Sequence, residues 1–128
     1  MYKKLKETVY PSTEESIAVK VDSNGNEGCH SYELTHSLGF ENGATRYDDS
    51  YYQSTILKFC ERVEDKTNPG IQDEQLILVM IDRTKKLNER FPSEFNQMKL
   101  QGLEMALEAC RLRIDDRIER GVMGKLEK

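Results

Sequence analysis

Leu100, Leu103, Leu107, Cys110, Ile114 and Ile118 recur at intervals of three or four residues, a spacing that gathers side chains on one face of an α-helix. The pattern predicts a helix from about Glu94 to Arg120. Ser93 is placed to cap its start, with Asn96 three residues on. Gly121 ends it, because glycine readily takes the left-handed conformation that closes a helix. Such a helix is a rod of ~40 Å. A chain of 128 residues has room for one core, and a rod this long with a single partner helix leaves apolar surface uncovered. Self-association repairs that, most economically as a two-fold dimer.

The partner helix is expected over Gln72 to Glu89. Its middle carries a six-residue apolar run, Leu76 to Ile81, which by itself would suit a buried strand. The flanks decide for a helix, with acids before the run and bases after it. The near-complete apolar girdle implies neighbours on more than one side. Pro92 lies in the short connector Arg90 to Ser93. Upstream, Tyr52, Ile56, Phe59 and Val63 predict another amphipathic helix, with Asp49 or Ser50 at its start and Asn68-Pro69-Gly70 at its end.

Residues 1–48 read as strands. Glu15 to Val21 alternates, with Ile17, Val19 and Val21 on one side, and Asn24-Gly25 follows as hairpin-turn chemistry. Ser31 to His36 and Ala44 to Tyr47 are the next two strands, with a turn at Phe40 to Gly43. The expectation is one α+β domain over 1–128. An N-terminal antiparallel hairpin or small sheet occupies 1–48, helices occupy 49–120, and 121–128 is a tail. The C-terminal helical hairpin forms a dimeric core.

Nineteen Lys and Arg against twenty-three Asp and Glu give a net charge of −4. That speaks against polymeric nucleic acid, which is held by many cations acting together. A small anion needs only two or three arginines. The apolar run is far short of the ~20 residues a bilayer requires, and no apolar segment follows the opening Met-Tyr-Lys-Lys. Cys29, Cys60 and Cys110 are odd in number and far apart, which suits free thiols in a reducing compartment. A cytoplasmic protein with no membrane partner, no cofactor and no metal is expected.

No catalytic constellation stands out. Asp115 and Asp116 point ~100° apart as helix neighbours and read as solvated charges. Cys110 lies on the apolar seam and reads as core. Arg113, Arg117 and Arg120 are spaced four and three apart and share a helix face. They suit either of two readings: a charge stripe balanced by Asp115, Asp116 and Glu119, or a grip on phosphate through arginine's fixed fork. Phe91 offers an aromatic surface and Asn96 an amide with both donor and acceptor, which together would suit a purine base. Phe91 taken alone is more often a cap over the helix–helix turn.

The segment Asn96 to Ala109 (NQMKLQGLEMALEA), followed by Arg113, Arg117 and Arg120-Gly-Val-Met-Gly124, is similar to the C-terminal signature of the phage Thoeris anti-defence 1 family. That family is related to the anti-CBASS 2 cyclic nucleotide sponges. Leu76 to Arg83, the Phe91 connector and Phe40 to Gly43 match in order, so the resemblance covers roughly Phe40 to Gly124. Met105 and Met123 stand where the family has glutamates, and Gly102 stands where a helix-favouring residue is usual. The stretch Arg46 to Pro69 is longer than the family's connection. The resemblance implies a non-enzymatic protein that captures a cyclic ADP-ribose isomer made by a TIR-domain protein and holds it intact. It implies Phe91 for base stacking, Asn96 for a polar ribose or base edge, and Arg113, Arg117 and Arg120 for the pyrophosphate. Two other classes stay open: a small helical adaptor for an acidic protein, and a metal-dependent nucleotide hydrolase using Asp82, Asp115 or Asp116.

Overall fold

A computed structural model describes residues 1–5, 16–48 and 53–121. Its chain divides into two compact units, Met1–Phe59 and Cys60–Lys128. The first unit is built from short antiparallel strands, and the second carries two helices. The α+β class and the order of sheet before helices are therefore as expected.

In the first unit, β1 (Tyr2–Lys4), β2 (Ile17–Val21), β3 (Glu27–Thr35) and β6 (Ser54–Lys58) form a four-stranded antiparallel sheet in the order β1-β2-β3-β6. The β2–β3 turn follows from Asp22. Its carboxylate accepts the backbone N–H groups of Asn24 at 2.8 Å and Asn26 at 2.9 Å, and Gly25 takes φ +81°. Asn24 itself does not adopt positive φ, so the turn is a bulged three-residue loop and differs from the two-residue hairpin that Asn24-Gly25 suggests. Ala18 and Val19 are buried at the sheet's centre. A separate hairpin pairs β4 (Ser37–Glu41) with β5 (Ala44–Tyr47), and here both turn residues, Asn42 at +53° and Gly43 at +80°, have the positive φ of a tight two-residue turn.

The amphipathic helix expected after Asp49 is not formed. Ser54–Lys58 is β6, and β7 (Glu61–Val63) pairs with β8 (Lys66–Asn68) at the start of the second unit. Among the described residues of 49–120, helix begins at Asp73. Asp49, Ser50 and Tyr52, the proposed start of that helix, lie outside the described residues, as do Glu15 and most of the tail. The physical reason is register. β3 pairs with β6 through Tyr32 opposite Leu57, and Phe59 N–H donates to the His30 carbonyl at 2.7 Å. Leu57 and Phe59, two residues apart, are the less exposed pair, while Ile56 is 49% exposed. Phe59 meets Tyr32 edge-on at 6.1 Å between ring centroids. The working period is two, and the helical spacing of Ile56, Phe59 and Val63 is incidental.

The helices are α1 (Asp73–Arg90) and α2 (Glu94–Glu119). At the start of α1 the Gln75 side chain accepts the Gln72 N–H at 2.8 Å. Ser93 caps α2, its hydroxyl accepting the Asn96 N–H at 3.1 Å. Gly121, at φ +70°, closes the helix with its N–H donated to the Ile118 carbonyl at 3.0 Å. Ile81 and Thr84 are the buried contacts of α1, and the Thr84 hydroxyl returns to the Met80 carbonyl at 2.7 Å. Leu100, Leu103, Leu107, Cys110 and Ile114 are the partly covered row of α2. Ile118 does not continue that row: it is 61% exposed, and the half-buried residue on the next turn is Arg117.

Candidate functional site

The connector between the helices is three residues long, so α1 and α2 run antiparallel and the first turn of α1 lies level with the last turns of α2. Gln72, Asp73 and Glu74 of α1 and Cys110, Arg113, Ile114 and Arg117 of α2 line a cleft of about 300 Å³. Arg113 is exposed and Arg117 half-buried, the position expected of an arginine whose stem packs on the seam while its head reaches the cleft. Two arginines four residues apart thus line the same space. They are accompanied by two carboxylates that no helical spacing in α2 foretold. The signal was the antiparallel hairpin itself, which sets an acidic helix start opposite a basic helix end.

Cys110 records the same acids. Burial raises its thiol pKa, and the charges of Asp73 and Glu74 raise it further. The thiol is held protonated on the floor of the cleft and is a packing group.

Arg120 does not line this cleft. It caps α2, and its Nε donates to the Asp116 carboxylate one turn back at 3.0 Å. Arg111, on the other side of α2, joins Glu108 and reaches Asp115 at 3.1 Å. The Arg111 contact lowers the Glu108 pKa, and the pair raises that of Arg111.

Phe91 and Asn96 lie at the opposite end of the hairpin. Phe91 is 68% exposed, so it is no buried cap, and the Arg90 guanidinium stands 5.7 Å from its ring centroid. Its carbonyl accepts the Asn96 side-chain N–H at 3.3 Å, while Ser93 N–H is accepted by Asn88 at 3.0 Å. Asn96 therefore positions the turn that presents Phe91. Along α2, Asn96 and Arg113 are separated by about 25 Å of helix rise. Within one chain the five candidate residues fall into two groups: Arg113 with Arg117 in the cleft, and Phe91 with Asn96 at the connector.

The carboxylates of the hydrolase alternative do not converge. Asp82 pairs with Lys86 at 2.9 Å, Asp115 with Arg111, and Asp116 with Arg120, each one turn away on its own helix. Among the described residues no group of three or more His, Cys, Asp or Glu side chains lies close enough to hold a metal ion. No helix of the described residues is long and apolar enough to cross a membrane. No protein-family model matches the chain, and no curated protein matches it either.

Proposed function

We propose that this protein binds and sequesters a cyclic nucleotide immune signal, a cyclic ADP-ribose isomer made by a TIR-domain protein, without degrading it, and so blocks Thoeris defence in the cytoplasm of an infected bacterium. The observation that carries the reading is the shared cleft of Arg113 and Arg117. A forked cation pair at that spacing complements a pyrophosphate, and no general acid or base is required of a protein that only holds its ligand. The resemblance over Phe40 to Gly124 supplies the ligand class.

A cleft of about 300 Å³ is at the small end for ligand pockets, which enclose most of what they bind. One protomer then supplies half a site. The aromatic face of Phe91 joins the arginines once a second copy lies antiparallel along α2, since that arrangement sets the connector of one chain level with the cleft of the other. The functional unit in this reading is a homodimer.

Isothermal titration with cyclic ADP-ribose isomers tests it. Arg117→Ala is expected to weaken binding roughly 30-fold or more, ~2–5 kcal/mol, with the helices intact by circular dichroism. Arg117→Lys restores part of this, since it returns the charge without the fork. Asp73→Asn tightens binding, because it removes a carboxylate that competes with the ligand's phosphate. Unchanged affinity in well-folded Arg117→Ala removes that residue from the site.

The adaptor reading has one observation in its favour. Leu78, Leu107 and Ile114 line an apolar cleft of about 300 Å³ between the helices, a place where a partner's side chain would fit. It predicts no bound nucleotide at any concentration of the isomers.

A further inference from the structure

We propose that Arg90 is a positioning residue for the nucleobase: its guanidinium covers one face of the Phe91 ring and leaves the other face for the ligand's adenine. The role rests on the reading of the ligand as a cyclic nucleotide whose base stacks on Phe91, and it concerns how that base is received.

Phe91 is the first residue past α1, and it is 68% exposed. Its backbone is well held. The Phe91 N–H donates to the Leu87 carbonyl at 2.8 Å, and the Phe91 carbonyl accepts the Asn96 side-chain N–H at 3.3 Å. The ring has less to fix it. Among the described residues no aromatic ring meets it, whereas Tyr32 and Phe59 meet each other. The group at its face is Arg90, whose Cζ stands 5.7 Å from the ring centroid. A guanidinium within ~6 Å of a centroid is drawn to the negative face of the ring.

The sequence explains why Arg90 turns to the ring. Elsewhere on the two helices a cation finds a carboxylate one turn away: Lys86 has Asp82, Arg111 has Glu108 and Asp115, and Arg120 has Asp116. One turn before Arg90 stand Lys86 and Leu87, and α1 ends at Arg90 itself. No acid of its own helix lies at ion-pairing spacing. Lys86 at that spacing is a like charge, which favours a guanidinium directed past the helix end, where Phe91 is.

A phenyl ring has two equivalent faces, and a ring free to turn must be immobilised when a base stacks on it. With Arg90 on one face, the plane and the open face are both set before the ligand arrives. The arginines therefore differ in task. Arg113 and Arg117 meet the ligand's charge, whereas the effect of Arg90 passes through the Phe91 ring.

Isothermal titration of a cyclic ADP-ribose isomer into Arg90→Ala, Phe91→Leu and the double variant tests this. Arg90→Ala is expected to weaken binding ~3–10-fold, the range set by ordering one side chain. Once Phe91→Leu has removed the ring, the same change is expected to cost nothing more. Arg90→Lys recovers part of the loss, since an ammonium is also drawn to the ring but has no plane to lay on it. Salt separates this role from a phosphate contact. The dependence of log Kd on log salt concentration keeps its wild-type slope in Arg90→Ala and falls in Arg117→Ala. A cation at the C-terminus of α1 also favours the helix itself, so each variant is melted alongside. A lower melting temperature with unchanged affinity makes Arg90 a helix-end residue only and overturns the proposal. Losses that add in the double variant, affinity unchanged in Phe91→Leu, or a salt slope that falls in Arg90→Ala overturn it too, and leave the nucleotide reading standing. A folded wild type that binds none of the isomers overturns that reading, and the role of Arg90 with it.

Discussion

Asp22 shows how one side chain sets a local structure and leaves a signature in solution. The backbone N–H of Asn26 is the largest influence lowering its pKa, and that of Asn24 adds to it. The folded pKa lies below the unfolded one, so the turn's contribution is present above the unfolded carboxylate pKa and is lost as pH falls through the folded one. Asp22→Asn is expected to flatten that part of the acid-side loss of stability, seen in urea melts at pH 7 and pH 3. An unchanged slope between the two would mean the carboxylate contributes nothing to the turn. At the same scale, the candidate site was legible only in part. Arg113 and Arg117 share a helix face by spacing alone, and the structure opens one cleft to both. Arg120 has the same spacing but is drawn to Asp116, a contact that the sequence permits as readily as the other. Asp73 and Glu74 could be placed beside the arginines only after the turn of the hairpin was known.

The helices were readable because cap, flank and period agree. Ser93, the Asn96 N–H and Gly121 stand where the sequence puts them. From Ser54 to Asn68 those signals conflict. Ile56, Phe59 and Val63 keep helical spacing, but Thr55, Ile56 and Thr67 are β-branched, and the edge of β3 from Ser31 to Thr35 takes a strand partner. Cross-strand pairing wins because it satisfies backbone groups and seats Leu57 and Phe59 together, which no window of local sequence displays. Strand and helix make different predictions here. Ile56→Thr, on the exposed face of β6, is expected to change stability by less than ~0.5 kcal/mol. Leu57→Ala, on the covered face, should cost about 1–2 kcal/mol. A helix with Ile56 on its buried face would reverse the order, and urea unfolding of the two variants decides between them.

Over the whole molecule, two features point outward from the chain. One is a cleft in which Arg113 and Arg117 stand with Asp73 and Glu74, and the other is a helix with apolar rows on opposite sides. The long seam by itself argued for a second copy, but the row from Leu100 to Ile114 is partly covered within the chain. The uncovered row is Phe95 to Leu112, whose methionines, glycine and alanine read poorly as a seam until the first row is assigned. The central claim, that the protein holds its ligand intact, is tested most directly by recovery. The protein is incubated with the products of an activated TIR enzyme, filtered free of unbound nucleotide and heat-denatured, and the released material is identified by mass spectrometry. The account predicts release of an unaltered cyclic ADP-ribose isomer from wild type and much less from Arg117→Ala. A linear or hydrolysed product, or no nucleotide at all, would contradict it.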